Sequence, residues 1–291
     1  MPKTWFITGA SRGLGAAIAI AAMRVGDRIV AASRKRSAIA EKLGPDTDSL
    51  LSVELDVTDA VQAHAAVGAA VRRFGGIDVL VNNAGYGHMG FFEEITIKDA
   101  QEQFDTNLFG VFHVTWAALP FMRSARKGII FNLSSIAGLV GAQMASLYCA
   151  SKFALEGFSE SLAKEVSPFG ISVTIVEPGP FRTDFLKPES LRFGGKAIAE
   201  YDDSRREIRA SMGERNGRQP GDPEKLGEAM VLLANEAKPP LHFFAGAVAL
   251  KVADKKLADM RAEIKSWLQL SIKTDGNYGN TNVEGLLRQL T

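Results

Sequence analysis

The chain has 291 residues, 46% of them hydrophobic, and a formal net charge of +1. That length accommodates one large α/β domain with an ample buried core, and the near-neutral charge excludes nucleic acid as the main partner, because backbone binding needs a basic surface. A single cysteine, Cys149, excludes an intrachain disulfide and fits a reducing compartment.

The opening residues, Met1 to Thr8, run directly into glycine and charge, without the long apolar stretch and cleavage site of a secretory signal. The apolar run Leu14–Met23 is too short to span a bilayer and is bounded by Arg12 and Arg24. A soluble cytoplasmic protein with no membrane span is the expectation.

Short apolar runs rich in β-branched residues follow one another at Trp5–Thr8, Ile29–Ala32, Leu50–Leu55, Val79–Val81, Ile129–Leu133 and Ile171–Val176. They are nearly continuous in apolar character, as strands covered on both faces require. Helical patterns fill the gaps at Gly13–Val25, Asp59–Phe74, Lys98–Arg123 and Leu147–Val166. This alternation predicts an α/β fold: a Rossmann-type doubly wound parallel sheet flanked by helices on both faces. From Phe181 to Pro223 the chain mixes aromatics, glycines and dense charge with no clear strand, and it reads as a lid. Within it, Asp202–Arg218 reads as a charge-rich, solvated helix. A helix at Pro223–Glu236, a strand near Leu241–Phe244 and a C-terminal helix at about 253–270 complete a single domain over 1–291. The polar, glycine-rich end from Thr274 reads as loosely held.

The first strand ends in Thr8-Gly9-Ala10-Ser11-Arg12-Gly13-Leu14-Gly15, where a helix opens. Such glycines allow a tight turn and let a pyrophosphate approach the helix N-terminus, whose free N–H groups and dipole favour an anion. The spacing is G-x-x-x-G-x-G, so a glycine-rich turn without ligand is the bland alternative. After the second strand comes Ser33-Arg34-Lys35-Arg36, with no carboxylate for a ribose hydroxyl. Basic residues at a helix start oppose its dipole unless an anion sits there. The 2′-phosphate of NADP(H) is therefore preferred over NAD(H), with Arg12 close enough to join; a solvated basic turn is the alternative. Asp56, with Val57 after it, ends the third strand, where it could accept a bond from an adenine amino group or cap the next helix.

The fourth strand runs into Asn82-Asn83-Ala84-Gly85. The asparagines could contact a cofactor or hold the strand edge. Asn107, three residues before Gly110, is unfavourable inside a helix, as expected where a helix is interrupted for function. Ser134 and Ser135 lie just past the strand Ile129–Leu133. Tyr148 and Lys152 are four apart on a helix and face the same way; an ammonium beside a phenol lowers its pKa for proton transfer. A surface Tyr–Lys contact is the bland alternative for that pair alone.

These motifs, in this order, resemble the short-chain dehydrogenase/reductases, over residues 3 to 185 and more loosely beyond. The resemblance rests on Gly9, Gly13 and Gly15, on Asp56, on Asn82 to Gly85, on Asn107 and Ser135, on Tyr148 with Lys152, and on Pro178-Gly179 with Thr183. It implies an NADP(H)-dependent interconversion of an alcohol and a carbonyl. Asn107, Ser135, Tyr148 and Lys152 would be its catalytic residues. Tyr148 would protonate the carbonyl oxygen and Ser135 would orient it. Lys152 would lower the tyrosine pKa and bond the nicotinamide ribose, and Asn107 would hold a water leading from Lys152 to solvent. The cofactor would lie along Gly9, Ser11, Arg12, Gly13, Leu14 and Gly15, then Ser33, Arg34, Asp56, Val57, Asn83, Ala84 and Gly85, then Tyr148, Lys152, Pro178, Gly179 and Thr183. Within the family the chain is similar to 17β-hydroxysteroid dehydrogenase-like and retinol dehydrogenase-like reductases. A homodimer or homotetramer through Lys98–Arg123 and Leu147–Val166 is also implied.

The pocket is expected between Tyr86–Phe92, Gly138–Leu147 and Phe181–Phe193, walled by Met89, Phe91, Val140, Met144, Phe181, Phe185 and Phe193. Such walls suit a hydrophobic small-molecule ketone or aldehyde. His64, His88, His113 and His242 show no metal-ligand spacing, so no metal is expected. Cys149 reads as a buried small residue. Two other functions share these features. A non-catalytic NADP(H)-binding sensor or scaffold would lack the tyrosine or lysine, and a lyase or dehalogenase would lose the glycine loop; all are present.

Overall fold

The computed structural model describes residues 2–187, 190–275 and 285. The predicted strands form with small shifts of boundary: β1 (Thr4–Thr8), β2 (Arg28–Ser33), β3 (Leu50–Glu54) and β4 (Val79–Asn82). A short β5 (Gly87–Met89) follows, then β6 (Gly128–Leu133), β7 (Ile171–Pro178), β8 (Leu191–Phe193) and β9 (His242–Ala245). Seven of them make one sheet in the order β3-β2-β1-β4-β6-β7-β9, parallel throughout. The order reverses direction between β1 and β4. That is the switch point at which open α/β sheets bind ligands, beyond the carboxyl ends of their strands.

Between the strands lie α1 (Gly13–Arg24), α2 (Arg36–Leu43), α3 (Ala60–Phe74), α4 (Ile97–Phe104), α5 (Gly110–Ala125) and α6 (Ser146–Val166). After β8 and around β9 come α7 (Asp202–Arg215), α8 (Pro223–Leu233) and α9 (Ala247–Ile272). Local sequence sets several starts. Asp59 caps α3 by accepting from the N–H groups of Val61 and Gln62, and Thr96 with Asp99 forms a reciprocal capping box on α4. Asp222 caps α8, with Pro223 at its first position.

The period of two along each strand divides the core. Trp5, Ile7, Ile29 and Phe131 pack with Ile18 of α1 and with Leu226 and Met230 of α8 on one face. Phe6, Val30, Leu80 and Ile130 pack with Val67 of α3 and with Val114 and Met122 of α5 on the other. This is a Rossmann-type doubly wound sheet with helices on both faces.

Three departures from the sequence reading stand out. The single helix expected over Lys98–Arg123 is two α-helices joined by a π-helical turn, Asp105–Phe109, with Asn107 in its middle. The unfavourable asparagine therefore marks a real break in the i→i+4 ladder. The stretch Phe181–Pro223 does contain a strand, β8, which pairs in parallel with β5; three residues are too few to show a period. Helix α2 starts at the end of the basic run, as the sequence indicates. Helix α9 starts six residues earlier than expected, at Ala247. Of the polar C-terminal end, residues from 276 on lie outside the described residues, apart from 285. Among the described residues, no helix is long and apolar enough to cross a membrane.

Candidate active site

The loop after β1 turns through Gly9 and Gly13, both with positive φ (65° and 56°), a region where a side chain is strained. Gly15 is required for packing: a Cβ there would lie 2.5 Å from the Gly9 carbonyl oxygen and 2.5 Å from Asn83 Nδ2. Asn83 donates through Nδ2 to the carbonyls of Thr8 (2.8 Å) and Gly9 (3.2 Å), while Thr8 Oγ1 accepts from the N–H groups of Asn83 and Ala84. The side chain of Asn83 thus staples the glycine loop to the end of β4, which is the strand-edge alternative. Asn82 does likewise deeper down, donating to Thr115 Oγ1 and Asn132 Oδ1.

The N-terminus of α1 is left open. Arg12 occupies its cap position with no side-chain cap bond, and no acidic residue lies in the first turn. An anion fits these uncapped N–H groups. Thr183, after the Pro178-Gly179 turn, comes to face the loop: a Cβ on Gly13 would be 3.7 Å from Thr183 Cβ. The Gly179 N–H is anchored on the Ala245 carbonyl of β9, and Thr183 Oγ1 accepts from Phe185 N.

At the end of β2, Ser33 folds back on Lys35 through two hydrogen bonds. Arg36 pairs with Asp46 at 3.0 Å, while Arg34 and Lys35 are exposed. Asp56 accepts from the N–H and hydroxyl of Thr58, so the capping of α3 is left to Asp59. The buried side chain of Val57 packs against Gly110, where α5 begins.

Tyr148 and Lys152 sit on the first turns of α6 and are both buried. Burial pushes the Tyr148 phenol up to about 12, with the Ser135 hydroxyl beside it pulling the other way. Burial pushes the Lys152 amine down to about 8, opposed by the negative charge of Glu156. The sequence predicts that Lys152 lowers the tyrosine pKa; in this arrangement burial prevails instead. The amine donates to the Leu133 carbonyl at 2.6 Å and lies 5.9 Å from the Tyr148 ring centre. Tyr148 is thus held as a neutral phenol, the form that can donate a proton. Ser135 lies two residues beyond the end of β6, its hydroxyl accepting from Ala137 N.

Asn107 is buried in the π-turn and fully engaged. Its Oδ1 accepts from Tyr86 N, and its Nδ2 donates to Tyr86 O and Ser151 Oγ. It locks the backbone after Gly85 to the helix that carries Tyr148.

Three segments close over the tyrosine. Met89, Ala145, Cys149 and Leu191 pack around it with Phe185, whose ring centre lies 5.6 Å from that of Tyr148. Gly90 N–H bonds the Met144 carbonyl, and Met212 of α7 reaches the same cluster. Two residues expected in these walls lie elsewhere. Phe181 packs on the main core with α1 and α8, and Phe193 is partly exposed beneath Arg209. Phe91 stacks on Tyr201 at 4.2 Å.

A cluster missed from the sequence lies one helical turn beyond Lys152. Glu156, Glu177 and His242 bring one polar atom each to within 4.8 Å of one another. They come from α6, β7 and β9, so no sequence spacing joins them; the only local sign is a glutamate next to the end of the strand Ile171–Pro178.

Comparison with known proteins agrees with this geometry. Residues 3–192 match the family model for short chain dehydrogenases. The chain is similar to an oxidoreductase, BOA17, of Botryotinia fuckeliana (37% identical, covering 94% of this chain and 99% of that one). It is similar to the 3-ketodihydrosphingosine reductase of Bacteroides thetaiotaomicron (37% identical, covering 92% and 93%). The crystal structure of a short-chain dehydrogenase from Streptomyces avermitilis superposes with a TM-score of 0.86 at 36% identity, covering 95% of this chain and 100% of that one.

Proposed function

The chain belongs to the short-chain dehydrogenase family, an oxidoreductase family whose members bind nicotinamide dinucleotides, and on that premise we propose that it uses NADP(H) to interconvert a hydrophobic ketone or aldehyde and its alcohol. The observation that carries this reading is the buried Tyr148 phenol, bracketed by Ser135 and Lys152 under an apolar roof.

When bound, the nicotinamide supplies or accepts the hydride. Ser135 and Tyr148 hold the substrate oxygen, and Tyr148 gives it a proton in reduction or takes one in oxidation. Lys152 stands behind the phenol and replaces its proton. Asn107 acts by position: with its amide spent on Tyr86 and Ser151, that side chain fixes the loop after Gly85 against α6. Met89, Phe185 and Leu191 exclude water from the reacting atoms.

The residues fit the dinucleotide. Gly9, Ser11, Arg12, Gly13, Leu14 and Gly15 present the open N-terminus of α1 to the pyrophosphate. Ser33 and Arg34 would hold the ribose phosphate, and Asp56 with Val57 would hold the adenine. Ala84, Gly85, Pro178, Gly179 and Thr183 would hold the nicotinamide, with Asn83 acting through the loop it staples. Exposed Arg34 is the ground for NADP(H) over NAD(H). Replacing it, Arg34→Asp, is expected to weaken NADPH about a hundredfold, on the order of 3 kcal/mol for a charge-assisted phosphate contact, while NADH changes little. Fluorescence titration of both cofactors checks this; equal losses would remove the 2′-phosphate argument.

On the same reading the segment 181–223 is a lid over one continuous domain, and the protein works in the cytoplasm as a homodimer or homotetramer. Phe109, Trp116 and Phe121 at the π-turn and α5, with Phe153 on α6, are exposed apolar groups of the kind a subunit interface covers. Sedimentation should give a multiple of 31.3 kDa; a monomer at micromolar concentration would contradict it.

A further inference from the structure

Behind Lys152, on the side away from the substrate, Glu156 and Glu177 are both buried, Glu177 completely. Their meeting follows from two periodicities. Glu156 is one turn on from Lys152 along α6, so both project the same way. In β7, Ile171, Val173, Ile175 and Glu177 share a face, the face that packs with Leu162 and Val166 of α6. Beside β7 runs β9, paired so that His242 stands opposite Ile175. His242 Nδ1 lies 2.8 Å from Glu177 Oε1 and 3.9 Å from Glu156 Oε2.

Two buried carboxylates in contact are costly if both are charged. Glu156 faces the Ser134 hydroxyl, and Oε2 of Glu177 has no hydrogen-bond partner among the described residues. A permanent structural bridge would satisfy that atom; groups that pass protons need open positions. His242 itself is one-third exposed, and its Nε2 is 3.8 Å from Glu160 at the surface. Titratable side chains therefore lead from solvent through His242 and Glu177 to Glu156, one helical turn from Lys152, whose amine bonds the Leu133 carbonyl and lies more than 4 Å from the Glu156 carboxyl, a gap for one bridging water.

We propose that His242, Glu177 and Glu156 form a proton route from the protein surface to Lys152, which resupplies Tyr148 between turnovers. This rests on the roles of Tyr148 and Lys152 given above. In reduction the substrate oxygen takes the Tyr148 proton as the carbon takes the cofactor hydride. The phenolate recovers a proton from the Lys152 ammonium, the amine recovers one from the carboxyl of Glu156 across a bridging water, and that carboxylate is refilled through Glu177 and His242. One proton enters from water per turnover, and oxidation runs the series backwards. Between Glu177 and Lys152 the affinities are matched: burial raises Glu156 to about 7 and Glu177 to about 8, close to Lys152 at about 8. The charged and titratable groups facing Glu156 are Lys152 from α6, Glu177 from β7 and His242 from β9, with the Ser134 hydroxyl beside it. Glu156 and His242 are positioning residues, since neither touches the substrate.

The test is kcat against pH, in H2O and D2O, for Glu156→Gln and His242→Gln, using NADPH and the carbonyl compound that the wild type reduces fastest. The expected result is a kcat lowered about tenfold or more, a larger solvent isotope effect, unchanged NADPH affinity, and recovery of the His242 variant with added imidazole. Profiles and isotope effects that superpose on wild type would overturn the route. So would a rate abolished by EDTA and restored by a divalent cation. A measurement without substrate guards against variants that misfold: carbon NMR of the whole wild-type protein should show carboxyl groups titrating near neutrality, and their absence would also overturn it. Tyr148→Phe separates the two readings, because its activity tests the tyrosine whatever the Glu156 variant does.

Discussion

Tyr148→Phe is expected to lower kcat by about a thousandfold, within the 10²–10⁴ range of a lost general acid and equivalent to about 4 kcal/mol of barrier. The substitution removes one oxygen from a buried site otherwise formed by Met89, Leu191, Phe185 and Cys149, so packing changes little. NADPH binding should persist within about threefold, because the open N-terminus of α1 and Arg34 are untouched. This combination identifies the role: a collapsed site would lose binding and turnover together. Steady-state rates and a cofactor titration on the same preparation check it, and a variant with ordinary turnover would end the assignment.

Gly15→Ala is expected to abolish cofactor binding although it adds one methyl group. The new Cβ would meet the Gly9 carbonyl oxygen and Asn83 Nδ2 at 2.5 Å each, well inside van der Waals contact. The Gly9 oxygen is backbone, and Asn83 is itself bonded to Thr8 and Gly9, so neither can yield without opening the loop. Overpacking of this kind costs about 1–3 kcal/mol or more. At about 2–4 °C per kcal/mol for a chain somewhat smaller than this one, the melting temperature should fall by several degrees, and NADPH should no longer raise it. By contrast Gly26→Ala, where nothing lies within 4 Å of the added carbon but φ is +83°, should cost only backbone strain of about 1 kcal/mol and leave binding intact. Thermal melts with and without NADPH compare the two.

Much of this was legible in the sequence because it depends on local pattern. Strands β1, β2, β3, β4, β6 and β7 read correctly since strands covered on both faces must be apolar throughout, as Trp5, Phe6 and Ile7 are. The break at Asn107 was visible because asparagine and glycine disfavour helix, although its π-helical form was not. Short elements escaped: β5 and β8 have three residues each and are held by each other rather than by propensity. Phe181 misled because an aromatic after the Pro178-Gly179 turn suits a pocket wall equally well as a contact on α8, and only the chain path decides. The carboxylate pair was hidden for a different reason. Glu156 and Glu177 are brought together by helix phase and strand alternation, and His242 joins through the register of β9, which no linear spacing encodes. Burial, a property of the folded chain, raises the Tyr148 phenol where the spacing of Tyr148 and Lys152 alone suggests a lowering.

The most direct measurement follows the atoms. With NADPH carrying deuterium at its hydride position and a hydrophobic ketone reduced by the wild type, mass spectrometry and NMR of the product should find one deuterium on the carbinol carbon for each cofactor oxidised, and none on oxygen. Cofactor consumed without deuterium reaching that carbon would contradict the account.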